Sequence, residues 1–233
     1  MLGALLGGGI GAVFGNPFAL VGALVGGTAA SLNADEIWDG WEGASNRVGN
    51  RTMNVIDTFS FRYNDANIYD FVGDYHNEGL VYLHQAELAE GGTLTPTQQY
   101  NYLNTFVTSQ YPDVVNGQSI SETEFNTVVY QTPALDYLKS VEEVNEANKI
   151  ELVNNIQAIS YLPQFQKDFF VILINYGVQF NEETYYLAEY FYGIENLIIT
   201  SSLNESEKSA LLSALATGRA SANFWWDVEM GNR

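Results

Sequence analysis

The chain has 233 residues, 46% of them hydrophobic and 14% aromatic, enough to bury a sizeable core and too rich in rings to be a disordered polymer. Nine Lys and Arg against 28 Asp and Glu leave a formal charge of -19, which repels phosphate backbones and argues against a nucleic-acid partner. The absence of cysteine removes disulfides, thiolate nucleophiles and Cys-based zinc sites together, and leaves the redox compartment unmarked.

Residues 1 to 34 carry no charge and hold nine of the 21 glycines. Gly3, Gly7, Gly11 and Gly15 recur every four residues, and Gly22, Gly26 and Ala30 repeat the spacing after Asn16-Pro17. On a helix this spacing lines small residues along one face, so that a second helix backbone can approach closely. Proline disfavours helical geometry in the residue before it and starts helices well, so the segment reads as a glycine-zipper helical hairpin, with one kinked helix as the alternative. An arm of about 15 residues reaches about 22 Å, short of a hydrocarbon core of about 30 Å, whereas the unbroken stretch exceeds it. Glycine costs up to about 1 kcal/mol each in a helix interior, so the segment needs something to pack against: a membrane, copies of itself, or its own body. The first basic residue is Arg47, so the apolar start lacks the basic region of an ordinary secretory signal. Gly9-Ile10-Gly11-Ala12-Val13-Phe14-Gly15 approximates a dinucleotide fingerprint, but no strand precedes it and its third glycine is displaced.

All charge lies from Asp35 onward, which sets the second unit at 35–233, an acidic domain read as an all-α, irregular multi-helix bundle of about seven helices. Asp35 to Asn50 suits a polar helix bearing Trp38 and Trp41, and Met53 to Tyr63 is an ambiguous run. Asn67 to Ala89 places Tyr69, Val72, Gly73, His76, Leu80 and Leu83 on one face, and Gly91-Gly92 ends it. Thr95-Pro96 opens a helix to Tyr111, and Ser121 with Glu124 forms a capping box for a helix to Tyr130. Thr132-Pro133 begins a long helix expected to continue to Ser160. Gln164 to Val178 reads as helix in spite of the strand-like Phe169 to Ile174 run. Asn181 caps Glu182 to Thr200, and Asn204 with Glu207 caps a last helix toward Trp226. No fixed repeat and no linker composition divides 35–233.

Catalytic and metal chemistry finds little support. His76, on an apolar stripe, reads as a core residue, and His84 lies eight residues further, without zinc-helix spacing. Asp70, Asp74, Asn77 and Glu78 form a helical row, which diverges instead of converging on a cation and reads as a solvated acidic face. Asn64-Asp65-Ala66-Asn67 lacks the central glycine and the twelfth-position Glu of a calcium loop. The aromatic stretch Tyr161 to Tyr192 reads as core, with a ligand groove as the rival, and its tyrosine hydroxyls need partners. Phe224, Trp225 and Trp226 cannot share one helix face, so one of them is expected at an interface.

Two stretches, Ile68-Tyr69-Asp70-Phe71-Val72-Gly73-Asp74-Tyr75-His76-Asn77-Glu78-Gly79-Leu80 and Ala216-Thr217-Gly218-Arg219-Ala220-Ser221-Ala222-Asn223-Phe224-Trp225-Trp226, are similar to motifs of uncharacterised helical proteins of Bacteroidota that carry a glycine-rich, bacteriocin-like apolar segment. In those proteins the apolar segment usually follows the Trp-rich end, whereas here it precedes the body. The resemblance implies a bacterial protein of the envelope or the exterior and transfers no activity. The expectation is therefore a non-enzymatic protein without cofactor or metal. Its Gly3, Gly7, Gly11, Gly15, Gly22 and Gly26 would meet membrane lipid or copies of itself, as a homo-oligomer in the second case.

Overall fold

A computed structural model describes residues 64–112, 119–140, 144–177 and 184–229, and these are helices joined by turns. Eight helices are described: α1 (Phe71–Glu90), α2 (Pro96–Gln110), α3 (Glu122–Tyr130), α4 (Pro133–Lys139), α5 (Lys149–Gln157), α6 (Gln164–Gly177), α7 (Thr184–Thr200) and α8 (Glu205–Glu229). The all-α class is thus found among the described residues, while the glycine hairpin, the Asp35 to Tyr63 stretch and the Asn181 cap lie outside them.

Local chemistry sets several of the boundaries. Gly91 closes α1 in the left-handed region at φ 75°, and both its N–H and that of Gly92 reach the Glu87 carbonyl. Thr95 and Gln98 bond each other's backbone in a capping box at α2, with Pro96 in the first turn, and Ser121 and Glu124 do the same at α3. Asn204 and Glu207 exchange side-chain-to-backbone bonds of 3.0 Å at the start of α8.

The long helix expected from Pro133 to Ser160 is broken into α4 and α5. Between them the side-chain Oδ1 of Asn145 accepts from the Ala147 N–H at 2.9 Å, and Oδ1 of Asn148 accepts from the Asn145 N–H at 2.8 Å. These asparagines satisfy backbone donors locally, so the helix has no need to run through.

Helices α1 to α6 pack in chain order, with α1 on α2, α2 on α3, α3 on α4, α4 on α5 and α5 on α6. Helix α8 then returns to lie along α1 and also packs on α7. One core runs through this arrangement, with Leu80, Leu103, Phe125, Leu152, Phe170 and Leu215 all buried in it. In α6 the faces separate as a helix requires: Phe169, Phe170, Leu173 and Ile174 are buried while Ile172 is half exposed. Tyrosines sit at the edge with their hydroxyls engaged: Tyr100 donates to the Ile120 carbonyl, Tyr130 to Gln99 Oε1 and Tyr137 to the Asn148 carbonyl.

Helix α8 is enclosed on every side, because each residue from Ser209 to Ser221 is buried. Its α1 side is small: a Cβ added at Gly73 would lie 2.6 Å from the Ala216 carbonyl oxygen and 2.7 Å from the Ala220 Cβ. Glycine permits that approach of backbone to backbone. Asn77 Nδ2 fastens the crossing by donating to the Ala220 carbonyl at 3.1 Å.

Candidate functional site

The most unusual chemistry in the described residues is a charged cluster inside the bundle. Arg219 of α8 is 1% exposed and is the only charged residue between Lys208 and Asp227. Its Nη2 donates to Glu195 Oε1 of α7 at 3.0 Å and to Asp70 Oδ1 at the start of α1. The Glu195 carboxylate is fully buried, and the Asp70 side chain is 13% exposed. The Tyr192 ring lies over the guanidinium, 5.5 Å from Cζ to centroid, a cation–π contact.

The turn before α1 completes the cluster. Asn64 Nδ2 donates to Glu195 Oε2 at 2.6 Å, and Asn67 Nδ2 donates to Glu195 Oε1 at 3.1 Å and to the Leu212 carbonyl at 3.2 Å. The Asn64 backbone N–H meets Asp70 Oδ2 at 3.2 Å. Short Asx bonds, Asn64 Oδ1 from the Ala66 N–H and Asn67 Oδ1 from the Tyr69 N–H, hold the turn in shape. Two carboxylates and two amides thus tie residues 64–70 to α7 and α8 through one arginine.

The electrostatics follow from burial. Desolvation raises the Asp70 carboxyl above its ordinary 3.8, and the charge and hydrogen bond of Arg219 pull it down without overcoming that. Burial alone would lower the Arg219 guanidinium, but Glu195 and Asp70 outweigh it and the group is pushed up. His76, in the same α1–α8 crossing, is fully buried, and its imidazole is pushed down to about 3 by desolvation. It is a neutral core residue in the working pH range, as its place on the apolar stripe suggests.

The row Asp70, Asp74, Asn77 and Glu78 is not the solvated face expected of it. Asp70 is bound to Arg219, Asn77 is buried against α8, and Glu78 accepts from the Tyr111 hydroxyl. Asp70 and Asn77 face partners because α8 lies along this helix, and Glu78 because Tyr111 follows α2 beside it, long-range packing that spacing cannot reveal. Among the described residues no group of three or more His, Asp or Glu side chains is placed to hold a metal ion, and no helix is long and apolar enough to cross a membrane.

Of the residues singled out in the sequence, Gly3, Gly7, Gly11, Gly15, Gly22 and Gly26 lie outside the described residues. Phe224 is half-buried against the core, and Trp225 and Trp226 continue the α8 backbone, their side chains outside the description. Phe169, Phe170 and Phe191 of the aromatic stretch are buried, and Tyr161 and Phe165 pack against the same core. Sequence reasoning missed Asn64, Asn67, Glu195 and Arg219. The one available signal was isolation of charge, since Glu195 is the only charged residue between Glu189 and Glu205, as Arg219 is in its own helix.

No protein-family model matches the chain, and no curated protein or solved structure matches it. Each charged side chain of the cluster is hydrogen-bonded within the described residues, and of the three only Asp70 is more than marginally exposed to solvent. Chemically it is a pin between elements far apart in sequence.

Proposed function

We propose that the protein is a non-enzymatic bacterial protein of the envelope or exterior, whose acidic helical body carries a glycine-zipper segment that associates with membrane lipid or with copies of the chain. The observation that carries this reading is the division of the sequence at residue 34: an uncharged segment with glycine every four residues, then a body holding every charge. The body supports it by meeting its own packing needs, since the described helices bury a continuous core and neutralise their internal arginine among themselves. The burial of Phe169, Phe170 and Phe191 favours core over ligand groove for the aromatic stretch.

The test uses three chains: intact, residues 35–233, and the double variant Gly7→Ile with Gly11→Ile. Sedimentation and liposome flotation are measured on each. The intact chain should self-associate or float, and the body alone should remain folded and do neither. The double variant is more hydrophobic yet bulky where a partner backbone must approach, so it should lose its specific association. Binding to liposomes indicates lipid, and a defined oligomer without them indicates an assembly subunit with the zipper between protomers. If residues 35–233 are unfolded and the double variant matches the intact chain in both assays, the segment is ordinary core and the reading fails.

A further inference from the structure

The charge count of the buried cluster is unbalanced: two carboxylates share one guanidinium, and desolvation makes a surplus negative charge expensive. The two carboxylates are not equivalent. Glu195 accepts three N–H hydrogens, Oε2 from Asn64 and Oε1 from Asn67 and Arg219, and its side chain is shut off from water. Asp70 Oδ1 receives Arg219, whereas Oδ2 receives only the Asn64 backbone N–H at 3.2 Å, and this side chain alone of the two carboxylates reaches solvent. We propose that the cluster is a one-proton latch on the 64–70 turn: on acidification Asp70 takes a proton from solvent on Oδ2, the cluster becomes neutral, and the turn is held harder against α7 and α8. As pH rises the proton leaves, a net negative charge returns to the interior, and the turn loosens. The turn joins the preceding 63 residues to the bundle, so the latch couples that attachment to pH whatever those residues do.

The surrounding groups set the direction. From α7 the cluster faces Glu195 and Tyr192, from α8 Arg219, and from the turn itself Asp65, which is exposed. On α1 the next titratable groups are Asp74, Tyr75 and the buried His76. A carboxyl whose folded value lies above 3.8 binds its proton more tightly in the folded state, so its contribution grows as pH falls through the raised value toward 3.8. His76 acts in the opposite sense on the whole fold, and a comparison between chains that both contain it removes its effect.

The experiment is amide hydrogen exchange of the full chain, read by mass spectrometry from pH ~7.5 down to ~4 after correction for intrinsic exchange, with α3 amides as the reference. Relative to α3, protection of the 64–70 amides should rise as pH falls, by at most about tenfold per pH unit for one proton. Asp70→Asn, which keeps an oxygen for Arg219 and cannot ionise, should give turn protection that no longer changes with pH. If wild-type turn protection merely follows α3 or falls on acidification, or if Asp70→Asn keeps the wild-type dependence, the latch is wrong. Should Asp70→Asn not fold, the wild-type comparison of the turn with α3 decides alone.

Discussion

Gly73 of α1 and Ala216 of α8 are in backbone contact: no Cβ can be placed on the first without coming within 2.6 Å of the carbonyl oxygen of the second. That oxygen belongs to a helix enclosed on every side, so it cannot move aside at little cost. Gly73→Ala should therefore destabilise the body by about 1–3 kcal/mol, although alanine is the better helix former. Urea unfolding followed by circular dichroism should show a lower midpoint at unchanged slope, and a gain in stability would mean that the crossing is looser than described here.

Arg219→Met should be costlier, by about 3–5 kcal/mol, because it strands the buried Glu195 and Asp70 carboxylates without a cation. Arg219→Lys restores charge but not the planar donor that reaches two carboxylates, and should recover only part of the loss. Thermal melts of both variants beside wild type test this. A Met variant as stable as wild type would show that the cluster accepts protons freely instead of depending on the arginine.

His76 contributes a pH dependence of definite sign. Its unfolded value is near 6.5 and its folded value about 3, so between them the unfolded chain binds the extra proton. Stability from this group is intact above about 6.5 and is lost toward 3, at up to about 1.4 kcal/mol per pH unit. His76→Gln should lower the melting temperature at neutral pH through lost packing and flatten the acid limb, while membrane or self-association of the folded protein is unchanged. Loss of association at full stability would assign the histidine a functional role.

The helix caps make a smaller and local prediction. Thr95→Ala and Ser121→Ala each remove one half of a capping box, and each should cost about 1 kcal/mol. The first turns of the two helices are joined by the Thr97 hydroxyl donating to Glu122 at 2.7 Å, so the double variant should show a loss that departs from the sum of the two by urea titration.

How far the sequence could be read follows from the range of each interaction. The pairs Ser121–Glu124 and Asn204–Glu207 span three residues and were legible as written, and so was Thr95 as a cap, though not its return bond from Gln98. The left-handed Gly91 was legible for the same reason. The break between α4 and α5 was not, because periodicity outweighed two asparagines whose side chains capture backbone N–H groups. Asp70, Glu195 and Arg219 escaped entirely as a set: their pairings cross 149 and 24 positions, and only the fold brings them together. The stretches 68–80 and 216–226, picked out separately by resemblance, turn out to lie along one another through Asp70–Arg219, Gly73–Ala216 and Asn77–Ala220.

The enclosure of α8 also bears on how the chain is made. The bonds that seat this helix against α1 and the turn before it join it to residues 143 to 149 positions earlier, so the pocket for it stays open during most of synthesis. Helices α1 to α6 can stack on their chain neighbours as they leave the ribosome, but the face of α1 that α8 covers stays exposed to water or chaperone until the last few dozen residues emerge. The uncharged first 34 residues emerge before all of them, and spend that whole interval attached to an unfinished body. An encounter between that segment and a bilayer or a neighbouring nascent chain thus has its earliest opportunity during translation, before the bundle has closed around its final helix.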